Sequence, residues 1–123
     1  MSSLYGAVVA EHFRSPRNRG SFPAPDAASE GTNPLCGDRI RIELRIDKGR
    51  IAAARFRGEA CMVAIAAASL LTGMLEGLPL AEAASLPDER LIAALETPLR
   101  PSRIGCAALA IQVLRAALAK APA

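Results

Sequence analysis

Three cysteines and one aspartate are the side chains in this sequence best suited to binding a metal. The stretch NPLCGDRIRI, residues 33 to 42, carries Cys36 and Asp38 two positions apart, and Cys61 and Cys106 follow at long intervals. Tetrahedral zinc takes four donors, and a two-iron, two-sulfide core also takes four protein ligands. Three thiolates and one carboxylate match either count. The sequence contains no CxxC pair, so spacing alone makes metal binding a hypothesis.

Each of these residues also has a plainer interpretation. Free cysteine is among the most buried residue types, and Cys106 shares a helical face with Leu109 and Val113, which favours a core position for its side chain. A core position is less natural for Cys36, which lies in a loop. An aspartate such as Asp38 is most often a turn or cap residue, and a buried carboxylate needs a partner. On the residues alone, both interpretations stay open.

Other reactive patterns are weaker. The lone histidine, His12, is expected to be a surface or half-buried side chain without a catalytic role, and Glu59, close to Cys61 in sequence, is expected to be a solvated charge. The sequence has no glycine-rich phosphate loop, no GxSxG and no HExxH. Three cysteines make a poor disulfide framework and are more natural as reduced thiols.

Length and composition set further limits. The 123 residues are predicted to form one domain, residues 1–123, with an aliphatic core, since 51% of them are hydrophobic and tryptophan is absent. The net charge of +3 is spread without a basic block, so nucleic-acid binding is not expected. The longest uncharged stretch is shorter than the roughly 20 residues that span a bilayer, and no signal-peptide pattern opens the chain. We therefore expect no membrane contact and a cytoplasmic location.

The first third of the chain is predicted to contain one helix and a long loop. Apolar residues at helical spacing predict a helix over residues 3 to 14, with Ser2 or Ser3 as its cap. Residues 15 to 34 contain four prolines and are predicted to form a loop with a short edge strand near Phe22. This loop leads directly to Cys36.

A β-hairpin is predicted immediately after the first two ligand candidates. RIRIELRID, residues 39 to 47, alternates Ile and Leu with charged residues, which indicates a strand with one buried face and one solvated face. Lys48 and Gly49 supply turn chemistry, and IAAARF follows as the return strand, which Gly58 is expected to end.

Helices are predicted for most of the remaining chain. They cover residues 61 to 77, residues 87 to 96, and a last helix that starts near Ser102 or Ile104 and puts Cys106 in its first turn. The predicted class is therefore α+β, with a small antiparallel sheet of about three strands covered on one face by helices. Each cysteine then lies at the edge of an element, where loops and helix N-termini can converge.

Together these stretches resemble the IscU/NifU/SufU-type scaffolds of iron-sulfur cluster assembly. The resemblance covers nearly the whole chain and implies a SufE/NifU-like fold. It rests on an opening helix with a Pro-Arg-Asn-x-Gly loop, a CGD motif before an alternating strand, and two later cysteines, in the stretches LYGAVVAEHFRSPRNRGSF, NPLCGDRIRIELRID, FRGEAC and PSRIGCAALAIQVLRAAL.

The resemblance implies a role for each ligand candidate. Cys36, Cys61 and Cys106 would be the cluster ligands and the candidate persulfide acceptors, and Asp38 would help to hold iron or a transient 2Fe-2S cluster. A cysteine desulfurase would supply the sulfur, and apo iron-sulfur proteins would receive the cluster. The protein would then be an assembly scaffold rather than an enzyme.

Several positions depart from the IscU pattern. Gly105 stands where IscU proteins carry a histidine, and TPLRPSRIGC replaces the LPPVK stretch, so dependence on a specialised Hsp70 chaperone is not expected. Ser69 is the only serine kept in the helix after Cys61. The Pro-x-Arg and CAALA stretches are closer to SufU, yet the 44 residues between Cys61 and Cys106 are few for the SufU insertion.

These departures leave two alternatives to the scaffold hypothesis. One is a zinc-dependent sulfurtransferase similar to SufU, in which zinc is bound by the three cysteines and Asp38. The other is a purely structural zinc domain, which chelation would unfold.

Overall fold

The computed structural model describes residues 5 to 121 and confirms the α+β class. Its three strands are β1 (Ala27–Asn33), β2 (Asp38–Asp47) and β3 (Arg50–Glu59), which form one antiparallel sheet in the order β1-β2-β3. Its helices are α1 (Gly6–Arg14), α2 (Met62–Leu75), α3 (Leu80–Ala84), α4 (Asp88–Ala94) and α5 (Pro101–Ala119). Helices α2 and α5 pack on the same face of the sheet, and the core lies between them and β2.

The central hairpin forms as its alternation predicts. Ile40, Ile42 and Leu44 of β2 are fully buried against the helices. Lys48 and Gly49 turn the chain with φ values of 53° and 75°, and positive φ at both central residues is the geometry that matches the twist of two antiparallel strands. The predicted turn is therefore confirmed.

The predicted edge strand near Phe22 is wrong, because the third strand lies further along the chain at Ala27–Asn33. Phe22 instead lies outside the strands, with the guanidinium groups of Arg45 and Arg55 at 5.1 and 4.6 Å from the centre of its ring. The strand has small side chains because α5 packs closely on it. A Cβ at Gly31 would come within 2.8 Å of the Val113 side chain.

Gly58 was predicted to end the second strand of the hairpin, and this prediction is wrong, because β3 continues to Glu59. It faces Ile40 of β2, and a Cβ at this position would overlap the Arg39 carbonyl oxygen. The glycine thus permits a close approach of two backbones inside the sheet, which a strand interior tolerates only without a side chain.

Glu43 is another departure from the alternating pattern, which placed it on the solvated face. Its carboxylate is buried, where it accepts hydrogen bonds from the Arg41 side chain at 2.8 Å and the Phe22 backbone N–H at 2.7 Å. Burial acts to raise the pKa of Glu43, but these two bonds, together with the positive charges of Arg41 and Arg57, lower the pKa below its ordinary value.

Each predicted helix is present, with small differences in its bounds. Helix α3 was not predicted. Helix α1 begins later than predicted, at Gly6, and α5 begins slightly earlier, with Pro101 in its first turn. Cys106 consequently lies in the second turn of α5, not the first. Ser2 and Ser3, the predicted caps of α1, lie outside the described residues.

Within residues 5 to 121, helix α5 alone is long and apolar enough to cross a membrane by length and composition. Its mean hydropathy is 1.3 over an 18-residue window, and half of that window is buried inside the protein. Core helices meet the same criteria, so α5 is no evidence of a membrane span.

Candidate metal centre

A four-residue loop between β1 and β2 carries the first ligand candidate. Asn33, the last residue of β1, pairs with Asp38, the first residue of β2, so residues 34 to 37 form the tip of a hairpin. Gly37 has a φ of 71°, which lets the chain turn back into β2. Cys36 is half-buried at this tip, and its N–H bonds the Asn33 carbonyl at 3.2 Å.

Asp38 connects this hairpin to the start of α2. Its side chain is 2% exposed, and its Oδ1 accepts the backbone N–H of Cys61, the residue that caps α2, at 2.8 Å. Its Oδ2 lies 3.8 Å from the Cys61 sulfur. The buried carboxylate therefore has the partner that its burial requires, and it aligns Cys61 with the hairpin.

Cys106 brings α5 to the same place. Its side chain is fully buried, and its sulfur lies 3.0 Å from the Cys36 sulfur, longer than the roughly 2.05 Å of a disulfide, so both are free thiols. One ligand atom each from Cys36, Asp38 and Cys106 lies within 4.8 Å of the others. Cys61 adjoins this group through Asp38. The core and ligand interpretations of Cys106 are thus compatible, because its side chain is buried in the core and its sulfur also contacts the Cys36 sulfur.

The charge environment of the site has two parts. Burial raises the pKa of the Cys106 thiol, and hydrogen bonds with Cys36, Asp38 and Cys61 raise it further. The Arg103 guanidinium lies 3.9 Å from the Cys106 sulfur, and that hydrogen bond raises the pKa of Arg103 above its ordinary value. Arg103 is thus the cation beside the thiols.

Two residues set aside in the sequence are not members of this group. Glu59 is exposed at the end of β3. His12 of α1 bonds the Ser69 hydroxyl of α2 at 2.7 Å, and the Arg17 backbone N–H donates to the same oxygen at 2.9 Å. Ser69, the serine kept among alanines, thereby fastens α1 and its loop to α2.

Asn33 is the site residue that the sequence interpretation missed. Its amide nitrogen lies 3.8 Å from the Cys106 sulfur, and its amide oxygen accepts the Leu35 N–H at 3.2 Å. The signal available was the Asn-Pro pair three residues before a cysteine, a sequence that favours a turn.

The donor set fits a thiophilic metal. Two thiols, a carboxylate and an adjacent third thiol supply the sulfur-rich set that zinc and iron-sulfur centres prefer. The site is also accessible from the surface, since Cys36 and Cys61 are only half-buried and the neighbouring Leu35 and Ile104 side chains are 94% and 43% exposed.

Sequence comparison finds relatives over nearly the whole chain. The chain is 31% identical to "Zinc-dependent sulfurtransferase SufU" of Bacillus subtilis, over 98% of this chain and 92% of that protein. It is 34% identical to "Iron-sulfur cluster assembly scaffold protein IscU" of Haemophilus influenzae, over 94% and 93%, and 36% identical to the Escherichia coli protein of the same name, over 94% and 91%.

Solved structures with little sequence identity share the fold. A SufU from Fervidobacterium islandicum superposes with a TM-score of 0.80 at 19% identity, covering 93% of this chain and 96% of that one. A NifU-like protein from Brucella abortus gives a TM-score of 0.78 at 15% identity, covering 94% and 92%. The sequence profile of the NifU-like N terminal domain matches residues 4–123. The chain therefore belongs to the NifU-like N-terminal domain family.

Proposed function

We propose that this protein is a scaffold for iron-sulfur cluster assembly. Cys36, Asp38, Cys61 and Cys106 would receive iron and desulfurase-derived sulfur as substrates and hold the transient 2Fe-2S cluster until it passes to an apo-protein. The observation that supports this proposal is that ligand atoms of Cys36, Asp38 and Cys106 lie within 4.8 Å of one another, with Cys61 hydrogen-bonded to Asp38. The relatives named IscU support it.

The partners of such a scaffold would be a cysteine desulfurase and apo iron-sulfur proteins. Leu35 and Ile104 offer exposed apolar contacts beside the thiols, where a donor of sulfur has to approach. We propose a cytoplasmic location, in keeping with three reduced thiols. We do not propose dependence on a specialised Hsp70 chaperone.

A zinc-dependent sulfurtransferase is the second candidate function. The same four side chains would bind zinc, and one of the thiols would accept persulfide sulfur from the desulfurase. Similarity to the Bacillus subtilis protein over 98% of the chain favours this candidate, as does Gly105 at the position before the third cysteine.

Metal analysis and reconstitution separate the two functions. The chain would be purified without oxygen, assayed for zinc and iron, and then incubated with ferrous iron, cysteine and a desulfurase. A scaffold is expected to develop visible sulfide-to-iron charge-transfer absorption and to pass the cluster to an apo-ferredoxin. A colourless protein with one tightly bound zinc that still stimulates the desulfurase would contradict the scaffold and support the sulfurtransferase.

Single cysteine variants test the site itself. Cys36→Ser, Cys61→Ser and Cys106→Ser are each expected to lose cluster formation and zinc binding, since each removes one of the proposed ligands. Glu59→Gln is the matched control, because it removes an exposed carboxylate near Cys61 that is not proposed to bind metal. If Cys106→Ser retained both properties, the three-thiol site would be wrong. If chelation unfolded the protein, the structural zinc domain would be favoured.

A further inference from the structure

The base of the β1–β2 hairpin consists of two polar residues, and both of them contact distant cysteines. Asp38 accepts the N–H of Cys61, as described above. Asn33, its partner across the two strands, lies against the sulfur of Cys106. The hairpin that carries Cys36 at its tip is therefore attached to both other cysteines through its closing pair.

The orientation of the Asn33 amide is fixed by a second contact. Its Oδ1 accepts the backbone N–H of Leu35 at 3.2 Å, an Asx turn inside the hairpin loop. Because the oxygen takes this donor, the amide nitrogen is the atom that faces Cys106, at 3.8 Å. An N–H group is therefore directed at the sulfur.

Gly105 leaves room for this amide. A Cβ at position 105 would lie 3.4 Å from the Asn33 amide nitrogen, so any side chain longer than alanine that extended from it toward β1 would meet that nitrogen. The Asn33 amide can therefore occupy this position because residue 105 has no side chain.

We propose that Asn33 is a positioning residue for Cys106, the counterpart of Asp38 for Cys61. This proposal rests on the metal centre proposed above. The Asn33 amide has no charge, and its N–H groups cannot bind a metal. Its contribution is to hold the Cys106 sulfur toward Cys36 and, once a metal has displaced the thiol proton, to donate to the thiolate and reduce its negative charge. A hydrogen bond of this kind orients a ligand and tunes the metal it binds.

Asn33→Ser separates the sulfur contact from the turn. A serine hydroxyl can still accept the Leu35 N–H in an analogous turn, but it is too short to reach Cys106. The full chain would be loaded with Zn²⁺ in competition with a chelator, and with Co²⁺ for its absorption spectrum. We expect zinc affinity to fall roughly 10- to 100-fold, the range for lost outer-shell partners. The thiolate-to-cobalt band should move to longer wavelength, since an unbonded thiolate gives up an electron more readily.

Three further variants complete the test. Asn33→Ala should match Asn33→Ser in both metal readouts, and it should also lower the melting temperature of the metal-free protein, because the turn is lost. Gly105→Val should reproduce the cobalt shift without any change at residue 33. Thr32→Ser, an exposed neighbour on β1, is the matched control and should leave all readouts unchanged.

The outcomes distinguish this proposal from the metal centre on which it rests. Wild-type zinc affinity and an unshifted cobalt spectrum in Asn33→Ser, alongside loss of zinc in Cys106→Ser, would overturn the role of Asn33 and leave the metal centre standing. Retention of zinc by Cys106→Ser would overturn the metal centre itself.

Discussion

The two hairpins of this sheet share strand β2 but differ in almost every other respect. The β2–β3 turn consists of Lys48 and Gly49, both exposed, and a Cβ added at Gly49 would meet nothing within 4 Å. The β1–β2 loop is four residues long and has the thiol of Cys36 at its tip. The Gly49 carbonyl accepts the Leu80 N–H at 3.0 Å, so a main-chain bond joins the β2–β3 hairpin to the start of α3, whereas side chains at the base of the β1–β2 hairpin join it to α2 and α5.

The difference shows which kind of tertiary contact each end makes. At the β2–β3 end, the local sequence determines the turn, and main-chain bonds join it to the segment between α2 and α3. At the β1–β2 end, each polar group at the base satisfies a partner from another element. Substitutions at matched positions of the two ends should therefore have different effects on stability and on metal binding.

The largest effect is expected from two glycine substitutions. Gly58→Ala would force a Cβ against the Arg39 carbonyl near the site end of the sheet, and we expect a loss of up to about 3 kcal/mol in the free energy of unfolding. Gly49→Ala meets open space and costs only the left-handed conformation, about 1 kcal/mol. Denaturant unfolding of the metal-free proteins measures both. Equal losses would mean that the close backbone approach at Gly58 is absent in solution.

The two aspartates that begin and end β2 give the second comparison. Asp38→Asn keeps an acceptor for the Cys61 N–H but removes a charged oxygen from the proposed centre. Zinc affinity should fall at least roughly tenfold, as for a lost ligand partner. Asp47→Asn, an exposed change at the other hairpin, should leave zinc affinity unchanged. Chelator competition decides, and equal affinities for the two variants would remove Asp38 from the proposed ligand set.

The free energy of unfolding should depend on pH because of the Cys106 thiol at the site end of the sheet. Burial raises the pKa of Cys106 in the folded metal-free protein above its ordinary value of 9.0. Below that value both the folded and unfolded states keep the proton. Above it the unfolded chain releases the proton first, so stability falls as pH rises, by at most about 1.4 kcal/mol per pH unit.

Cys106→Ala isolates this dependence. Unfolding free energies of the wild type and the variant would be compared at about pH 8 and about pH 10, with chelator and reductant present. The wild type should lose more stability than the variant over this interval. Identical slopes for the two proteins would show that the Cys106 thiol titrates normally.

The smallest effect is expected at the exposed turn. Lys48 has a φ of 53°, a conformation that asparagine adopts more easily, and Asn-Gly is the preferred pair for this turn. Lys48→Asn should stabilise the protein by about 0.5 kcal/mol without changing zinc affinity. Thermal unfolding measures the gain, and a change in metal binding would show that the two ends of the sheet are coupled.

The central hairpin could be predicted because its information is local. Alternation over residues 39 to 47 and the Lys48–Gly49 pair determine the strand and its turn without reference to the rest of the chain. β1 could not be predicted in the same way. Its sequence, AASEGTN, has no hydrophobic alternation, and its small residues are explained by the close packing of α5.

The ligand candidates of the site were predicted from the sequence, but the residues that contact them were not. Cys36, Asp38, Cys61 and Cys106 were identified as ligand candidates from their chemistry. The structure places ligand atoms of Cys36, Asp38 and Cys106 within 4.8 Å of one another, with Cys61 outside this group but beside Asp38. Asn33 escaped notice because its role depends on a helix more than seventy residues later in the chain. Glu43 was placed in solvent because alternation describes faces of a strand and not the loops that cover them.

The sequence by itself therefore determined the chemistry that this protein carries, its α+β class and its family. Thiolates and a carboxylate have their metal preferences wherever they lie, and periodicity is a property of short segments. Tertiary structure alone decided which polar group meets which thiol. Contacts such as Asp38 with Cys61 and Asn33 with Cys106 join residues that are distant in sequence, and they exist only because β1, α2 and α5 pack on one sheet.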